Sequence, residues 1–190
     1  MNIIDRIFKP QHTTTPSHTG TFLPPYDFGA ALPLTPEERF RACIERVQQY
    51  HRANGDAQLL ELPPVPPAGA TPQELVDLER QLQVALPAEY GRFLHGWRYL
   101  DIDDGLRVWG LSYQDVSVDS PWVSEEHRPP CKYLVFGDYW HYADGDQLMF
   151  DLNEPDVPVV VYLHDCGPLI EYFAPSFSLA LWRMVDERCQ

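Results

Sequence analysis

The stretch VALPAEYGRFLHGW, residues 84–97, sets a short turn around Pro87 before a run of large apolar residues. Tyr90, Phe93 and Leu94 follow helical spacing, so we expect a short helix that starts at Pro87 and buries this face on a sheet. Trp97 lies beyond the end of that helix, and we expect it to be partly exposed. The aromatic side chains of this stretch are therefore predicted to be core residues.

Two longer helices are predicted upstream by one shared signature. TPEE at Thr35 and TPQE at Thr71 each place a threonine at the cap, a proline at the first helical position and a glutamate three residues after the cap. Apolar residues at helical spacing then continue to about Asn54 in the first helix and Val84 in the second. The segment PSFSLALWRMVDE, residues 175–187, predicts a final helix by the same periodicity.

The pattern between the third and the final helix is typical of strands. Short runs rich in β-branched and aromatic residues alternate with turn residues. The runs are LRVWGLSY, KYLVFGDYW, QLMFDL, VPVVVYLHD and PLIEYF. They predict an α+β fold, with a mostly antiparallel sheet of about five to six strands packed by the N-terminal helices and a C-terminal helix.

The chain of 190 residues has the length of a single domain with an extension. Residues 1–34 are rich in proline and threonine, which favours an extended, poorly packed N-terminal arm. We predict one α+β domain over residues 35–190.

Acidic residues outnumber basic ones 28 to 14, which gives a formal net charge of −14. A negative surface repels phosphate backbones and anionic lipids and attracts basic proteins, so nucleic acid and membranes are not expected partners. No stretch approaches the roughly 20 apolar residues that cross a bilayer. The four cysteines form no CxxC pair and follow no signal peptide, so we expect reduced thiols and a cytoplasmic location.

A set of short motifs runs through residues 71–187 in a fixed order. They are a mid-helix glutamate, a Leu-Pro step before the third helix, an FGD strand end, a Gly-Asp pair before the next strand, an aspartate at that strand's end and an A-P-S-F step into the last helix: Glu79, Leu86-Pro87, Phe136–Asp138, Gly145-Asp146, Asp151 and Ala174–Phe177. The order resembles the SUKH superfamily, which includes a fungal cell-wall-synthesis regulator and many bacterial toxin-immunity proteins. Relatives commonly carry Asn-Gly at the end of the third helix, where this chain has His95-Gly96.

The resemblance implies an α+β fold and a binding module without a common catalytic constellation. Many bacterial members neutralise the toxin encoded beside them by binding its active face. From the residues alone, the chain shows no G-x-S-x-G, phosphate loop, H-E-x-x-H or G-x-G-x-x-G motif, so we predict that it is not an enzyme and needs no cofactor.

Two groups of residues contain types that bind metal ions, but a simpler interpretation is favoured for each. His127, Cys131, His164 and Cys166 offer zinc chemistry, but their spacing favours buried cysteines with loop histidines. DIDDG at residues 101–105 places its glycine at the wrong position for an EF-hand, so we expect a solvated acidic turn there.

Aspartates and large aromatic residues cluster in two predicted turns, and this mix is typical of surfaces that bind basic proteins. The residues assigned to partner binding are Asp101, Asp103, Asp104, Asp138, Trp140, His141, Tyr142, Asp144 and Asp146. A second interpretation of DYWHYADGDQ, residues 138–147, stays equally open: its aromatic rings cover the sheet edge and Asp144-Gly145 supplies the turn.

The residues predict a non-catalytic protein-binding module, and the resemblance implies that it is a bacterial immunity protein that neutralises a toxin. The acidic charge suits a basic toxin, with a nuclease as the best-suited one. A regulatory scaffold of the same fold without a toxin partner is the alternative. A hydrolase or a zinc protein is the least favoured of the three.

Overall fold

The computed structural model describes residues 22–54, 68–103, 105–111, 117–118, 133–165 and 169–189. Four helices and seven strands follow one another along these residues. They are α1 (Pro36–Asn54), α2 (Pro72–Leu82), α3 (Ala88–Gly96), β1 (Leu100–Asp103), β2 (Leu106–Val108), β3 (Ser117–Val118), β4 (Tyr133–Tyr139), β5 (Gln147–Asp151), β6 (Val159–Leu163), β7 (Leu169–Ala174) and α4 (Phe177–Arg188).

Six of the strands form one antiparallel sheet in the order β1-β2-β4-β5-β6-β7, and the short β3 pairs with the beginning of β4. The N-terminal helix α1 packs on the C-terminal helix α4. The predicted α+β fold with a mostly antiparallel sheet is confirmed. The described part of the chain contains no helix long and apolar enough to cross a bilayer.

The strand β1 was missed by the sequence analysis, which assigned residues 101–105 to a solvated acidic turn. Asp101 lies within β1, opposite Arg107 of β2, and is only 3% exposed. Its carboxylate lies 3.5 Å from the guanidinium of Arg107. A cross-strand ion pair therefore lets this aspartate take part in a strand, and the turn is shorter than expected.

An aromatic cluster joins the helices to the sheet. The ring of Phe177, at the start of α4, has five aromatic neighbours with centroids 5.1 to 6.0 Å away: Phe40, Tyr90, Phe93, Phe136 and Phe150. Tyr90, Phe93 and Leu94 are fully buried, which confirms the predicted core face of α3. Trp97 is half-buried, as expected.

Side chains satisfy the free backbone groups at the helix starts. The predicted capping boxes are confirmed at Thr35 with Glu38 and at Thr71 with Glu74. The helix α4 begins differently, since its cap residue Ser176 makes no side-chain cap bond. There the carboxylate of Glu89, from α3, accepts a hydrogen bond of 2.8 Å from the backbone N–H of Ser178.

Residues 22–34 pack on the domain, although the sequence predicted poorly packed backbone for this stretch. The buried carboxylate of Glu171 accepts hydrogen bonds from the backbone N–H groups of Phe22 and Leu23. Arg183 of α4 donates to the carbonyl oxygen of Pro24 at 3.3 Å. The proline-rich backbone thus finds its partners in side chains of β7 and α4. The domain boundary at residue 34 stays a prediction, and residues 1–21 lie outside the described ones.

We expect Glu89→Ala to lower the free energy of unfolding by about 1 kcal/mol, because the start of α4 loses its acceptor and a favourable charge. Urea unfolding followed by circular dichroism measures this loss. Glu45→Ala, at an exposed position of α1, is the matched control, and its effect should stay within about 0.5 kcal/mol. Equal losses in the two variants would contradict the capping role.

Candidate functional site

Turns from separate hairpins meet at one end of the sheet. The β1–β2 turn and the β4–β5 loop contact each other, because the backbone N–H of Trp140 donates to the carbonyl oxygen of Gly105 at 2.9 Å. The β4–β5 loop also contacts the residues after β6, since a Cβ added to Gly145 would lie 3.2 Å from the ring of His164. We call Gly105, residues 140–146, His164 and Asp165 the hairpin end.

The loop between β4 and β5 exposes four of the residues predicted to bind a partner. Trp140 is 36% exposed and Tyr142 is 40% exposed, and His141 and Asp144 are also exposed. All four side chains are therefore exposed on the same loop. Their role in binding stays a prediction.

Trp140 is held in place by a glycine. A Cβ added to Gly105 would lie 2.5 Å from Cε3 of the indole ring, so only glycine lets the ring approach this backbone. Gly105 also has a φ of +81°, a left-handed conformation that favours glycine. The β1–β2 turn thus fixes the indole while part of its surface remains exposed.

Tyr142 lies at the centre of a small aromatic group. Its ring makes edge contacts with His141, at 4.8 Å between centroids, and with Phe22, at 5.4 Å. His141 in turn stacks on the buried ring of Tyr139 at 5.7 Å. Phe22 is 47% exposed and was missed by the sequence analysis, which placed it in the arm.

Asp165 is a second residue that the sequence analysis missed. Its side chain is 69% exposed, and one of its carboxylate oxygens lies 2.8 Å from Nε2 of His164. The sequence predicts a turn at Asp165-Cys166-Gly167, but only the strand order places the residues after β6 beside the β4–β5 loop, where His164 lies next to Gly145. Together, Asp144 and Asp165 give the hairpin end two exposed carboxylates.

Three of the aspartates assigned to partner binding are buried instead: Asp101, Asp138 and Asp146 are 3%, 6% and 1% exposed. Asp138 accepts a hydrogen bond of 2.9 Å from Nε1 of Trp109, and Asp101 pairs with Arg107. These carboxylates hold strands together and are not presented to a partner in this conformation. Asp104 and the side chain of Asp103 lie outside the described residues.

Asp146 joins the β4–β5 loop to the end of β6. Its Oδ1 atom accepts a hydrogen bond of 2.9 Å from the backbone N–H of His164. Its Oδ2 atom is buried and has no hydrogen-bond partner among the described residues. Burial raises the pKa of Asp146 above its ordinary value, and it does the same for the pKa of Asp138.

The zinc interpretation falls mostly on residues that are not described, since His127, Cys131 and Cys166 lie outside the described ones. The described residue of that set, His164, contacts Asp146 and Asp165. The described ranges contain no group of three or more histidine, cysteine, aspartate or glutamate side chains placed to hold a metal ion.

Comparison with known proteins gives one family match. The model of the SMI1 / KNR4 family (SUKH-1) matches residues 69–181, which is more than half of the chain. The matched range includes the whole described hairpin end. No curated protein and no solved structure matches the chain.

Replacing the buried carboxyl group of Asp146 should change how stability depends on pH. The raised pKa means that the folded protein holds this proton to higher pH than the unfolded chain does. The buried carboxyl group of Asp146 therefore makes its full contribution to stability below the ordinary pKa of aspartate. This contribution is lost as pH rises through the raised pKa. In Asp146→Asn, the amide oxygen can still accept from His164, and no charge develops.

We therefore expect the stability of Asp146→Asn relative to the parent protein to increase as pH rises from about 4 towards 7. Urea unfolding at several pH values measures this difference. Asp144→Asn makes the same chemical change at an exposed position of the same loop and serves as the control. A relative stability of Asp146→Asn that stays constant or falls with pH would refute the assignment.

Proposed function

Because the chain belongs to the SMI1/KNR4 family (SUKH-1), we propose that it is a non-catalytic protein-binding module, an immunity protein that neutralises a basic toxin by binding it. Proteins of this family are often toxin-immunity proteins. The observation that carries the proposal is the hairpin end, where exposed aromatic rings and exposed carboxylates lie together. The proposed location is the cytoplasm, where the toxin would act.

The aromatic side chains of the hairpin end supply contact area. Trp140 is held against Gly105, and Tyr142 is held between His141 and Phe22, so both rings are fixed before a partner arrives. A fixed ring loses little conformational entropy on binding, and tryptophan and tyrosine are enriched among the residues that dominate binding energy.

The charge of the protein favours a cationic partner. Asp144 and Asp165 are exposed at the hairpin end, and the whole chain carries a formal net charge of −14. A nuclease must present positive charge to hold phosphates, so an anionic protein gains steered association with that same surface. A nuclease toxin is therefore the partner that suits the hairpin end best.

We assign no catalytic residue and no cofactor. The carboxylates buried beneath the hairpin end already serve internal contacts: Asp138 accepts from Trp109, and Asp146 accepts from His164. The exposed groups of the hairpin end offer a surface for another protein.

The double variant Asp144→Asn/Asp165→Asn should associate about tenfold more slowly with the toxin domain encoded beside this protein, because steering weakens when exposed charge is removed. Its association rate should also depend less on salt. Stopped-flow measurements at several salt concentrations test both effects. The control is Glu154→Gln/Asp156→Asn, which removes the same charge from the exposed β5–β6 turn at the other end of the sheet.

Trp140→Ala should instead increase the dissociation rate, because it removes contact area and leaves the charge unchanged. Association that is independent of salt in the parent protein, or equal effects of the two double variants, would contradict the proposed interface. If the neighbouring toxin does not bind at all and a pull-down returns a cellular protein, the regulatory scaffold without a toxin partner replaces the immunity role.

A further inference from the structure

A groove of about 590 Å³ runs beside β7, the last strand of the sheet. Residues 22–28 form its other wall. The groove is lined mainly by apolar side chains from these two segments: Leu23, Pro25, Phe28, Ile170, Tyr172 and Phe173. In the part of the chain that the structure describes, no strand pairs with the outer edge of β7.

The groove follows the edge of β7 and is not confined to one face of the sheet. Phe173 lies on the face of the sheet that carries α4, since the guanidinium of Arg183 lies over its ring. Glu171 shares this face because it is two residues away along the strand. Ile170 and Tyr172 alternate with them along the strand and project to the opposite face. Because side chains of both faces line the groove, the groove lies along the outer edge of β7, with which no strand of the described residues pairs.

Residues 22–28 do not form a strand with β7. The backbone N–H groups of Phe22 and Leu23 bond the side chain of Glu171, and Pro24 and Pro25 have no backbone N–H to donate. This segment therefore provides an apolar wall and leaves the backbone groups at the edge of β7 to another partner.

We propose that this groove binds an extended, cationic segment of a partner protein, which pairs with β7 as an added strand of the sheet. Strand addition satisfies unpaired edge groups through main-chain hydrogen bonds, and alternate side chains of the added strand would contact the apolar wall. The six residues of β7 provide a ladder of about 20 Å for such a segment.

The charges around the groove favour an occupant with positive charge. Arg183 is the cation among the lining residues, but it is only 3% exposed and donates to Glu187, Phe173 and Pro24. Glu171 lines the groove and the exposed Asp27 lies on the segment that forms its wall; each accepts a hydrogen bond from a backbone amide, and neither forms an ion pair with another described residue. A second copy of the chain is disfavoured by the same argument, since each copy carries −14.

This proposal goes beyond the immunity role, because it holds for any cationic partner with an extended segment. The segment that forms the wall of the groove also reaches the hairpin end, since Phe22, next to the lining residue Leu23, contacts Tyr142. One partner can therefore contact the hairpin end and place an extended segment along β7.

The test uses the full-length protein and a synthetic eight-residue peptide of alternating lysine and valine with blocked ends. A matched peptide carries methyl groups on alternate backbone nitrogens, which removes donors and keeps charge and side chains. Amide hydrogen exchange of residues 169–174 and fluorescence titration report binding. We expect the first peptide to bind and to slow exchange in β7, and the methylated peptide to bind at least about tenfold more weakly.

Tyr172→Lys should weaken binding of the first peptide about tenfold, because it places a like charge beside the added strand and removes a ring that is 58% exposed. Val76→Lys adds the same charge at an exposed position of α2 and should leave binding unchanged. Trp140→Ala should also leave it unchanged, which separates this groove from the toxin-binding proposal. Circular dichroism confirms that each variant is folded.

Four results would overturn strand addition. The methylated peptide could bind as well as the first one, which would mean attraction by charge alone. Protection could appear at the hairpin end and not in β7. Third, the β7 amides could already be protected in the monomer without peptide, which would mean that the chain's own residues cover the edge. Fourth, they could be protected without peptide only at high protein concentration, which would mean that a second copy of the chain covers it.

Discussion

The packing of Phe177 against five aromatic rings is the contact on which the rest of this structure depends. It joins α4 to α1, α3 and the central strands β4 and β5, and so fixes the helices on one face of the sheet. Aromatic groups of this size contribute large buried areas with specific geometry, which favours one arrangement of the layers. Because the helices cover that face of the sheet, the turns at its end remain exposed and form the hairpin end.

The hairpin end rests on that layered core through buried polar contacts. Asp138 and Asp146 each accept a hydrogen bond from a group on a different segment, Trp109 and His164. Burying a carboxylate is costly, and these bonds offset part of that cost while they fix the loops. The exposed rings and carboxylates therefore lie on turns that are fixed by buried hydrogen bonds. Such a surface can bind a partner without rearrangement.

The segment formed by residues 22–28 extends this surface along β7. Its hydrogen bonds reach Glu171 and Arg183, more than one hundred residues away in the sequence. The proline and threonine content predicted extended backbone but gave no sign of where that backbone would lie. In the structure it is the wall of a groove, because a buried carboxylate and a buried guanidinium supply the partners that the sheet edge does not.

The sequence by itself determined the four helices, the capping boxes of α1 and α2, the core face of α3 and most of the antiparallel strands, since periodicity and caps depend on residues a few positions apart. Only the tertiary structure decided which aspartates are exposed. Asp144 and Asp146 are two residues apart, yet one faces solvent and the other is 1% exposed against His164. The tertiary structure also decided the positions of Phe22, which contacts Tyr142 of the hairpin end, and of Asp165, which belongs to it. Burial depends on neighbours brought together by the sheet, and no local pattern contains that information.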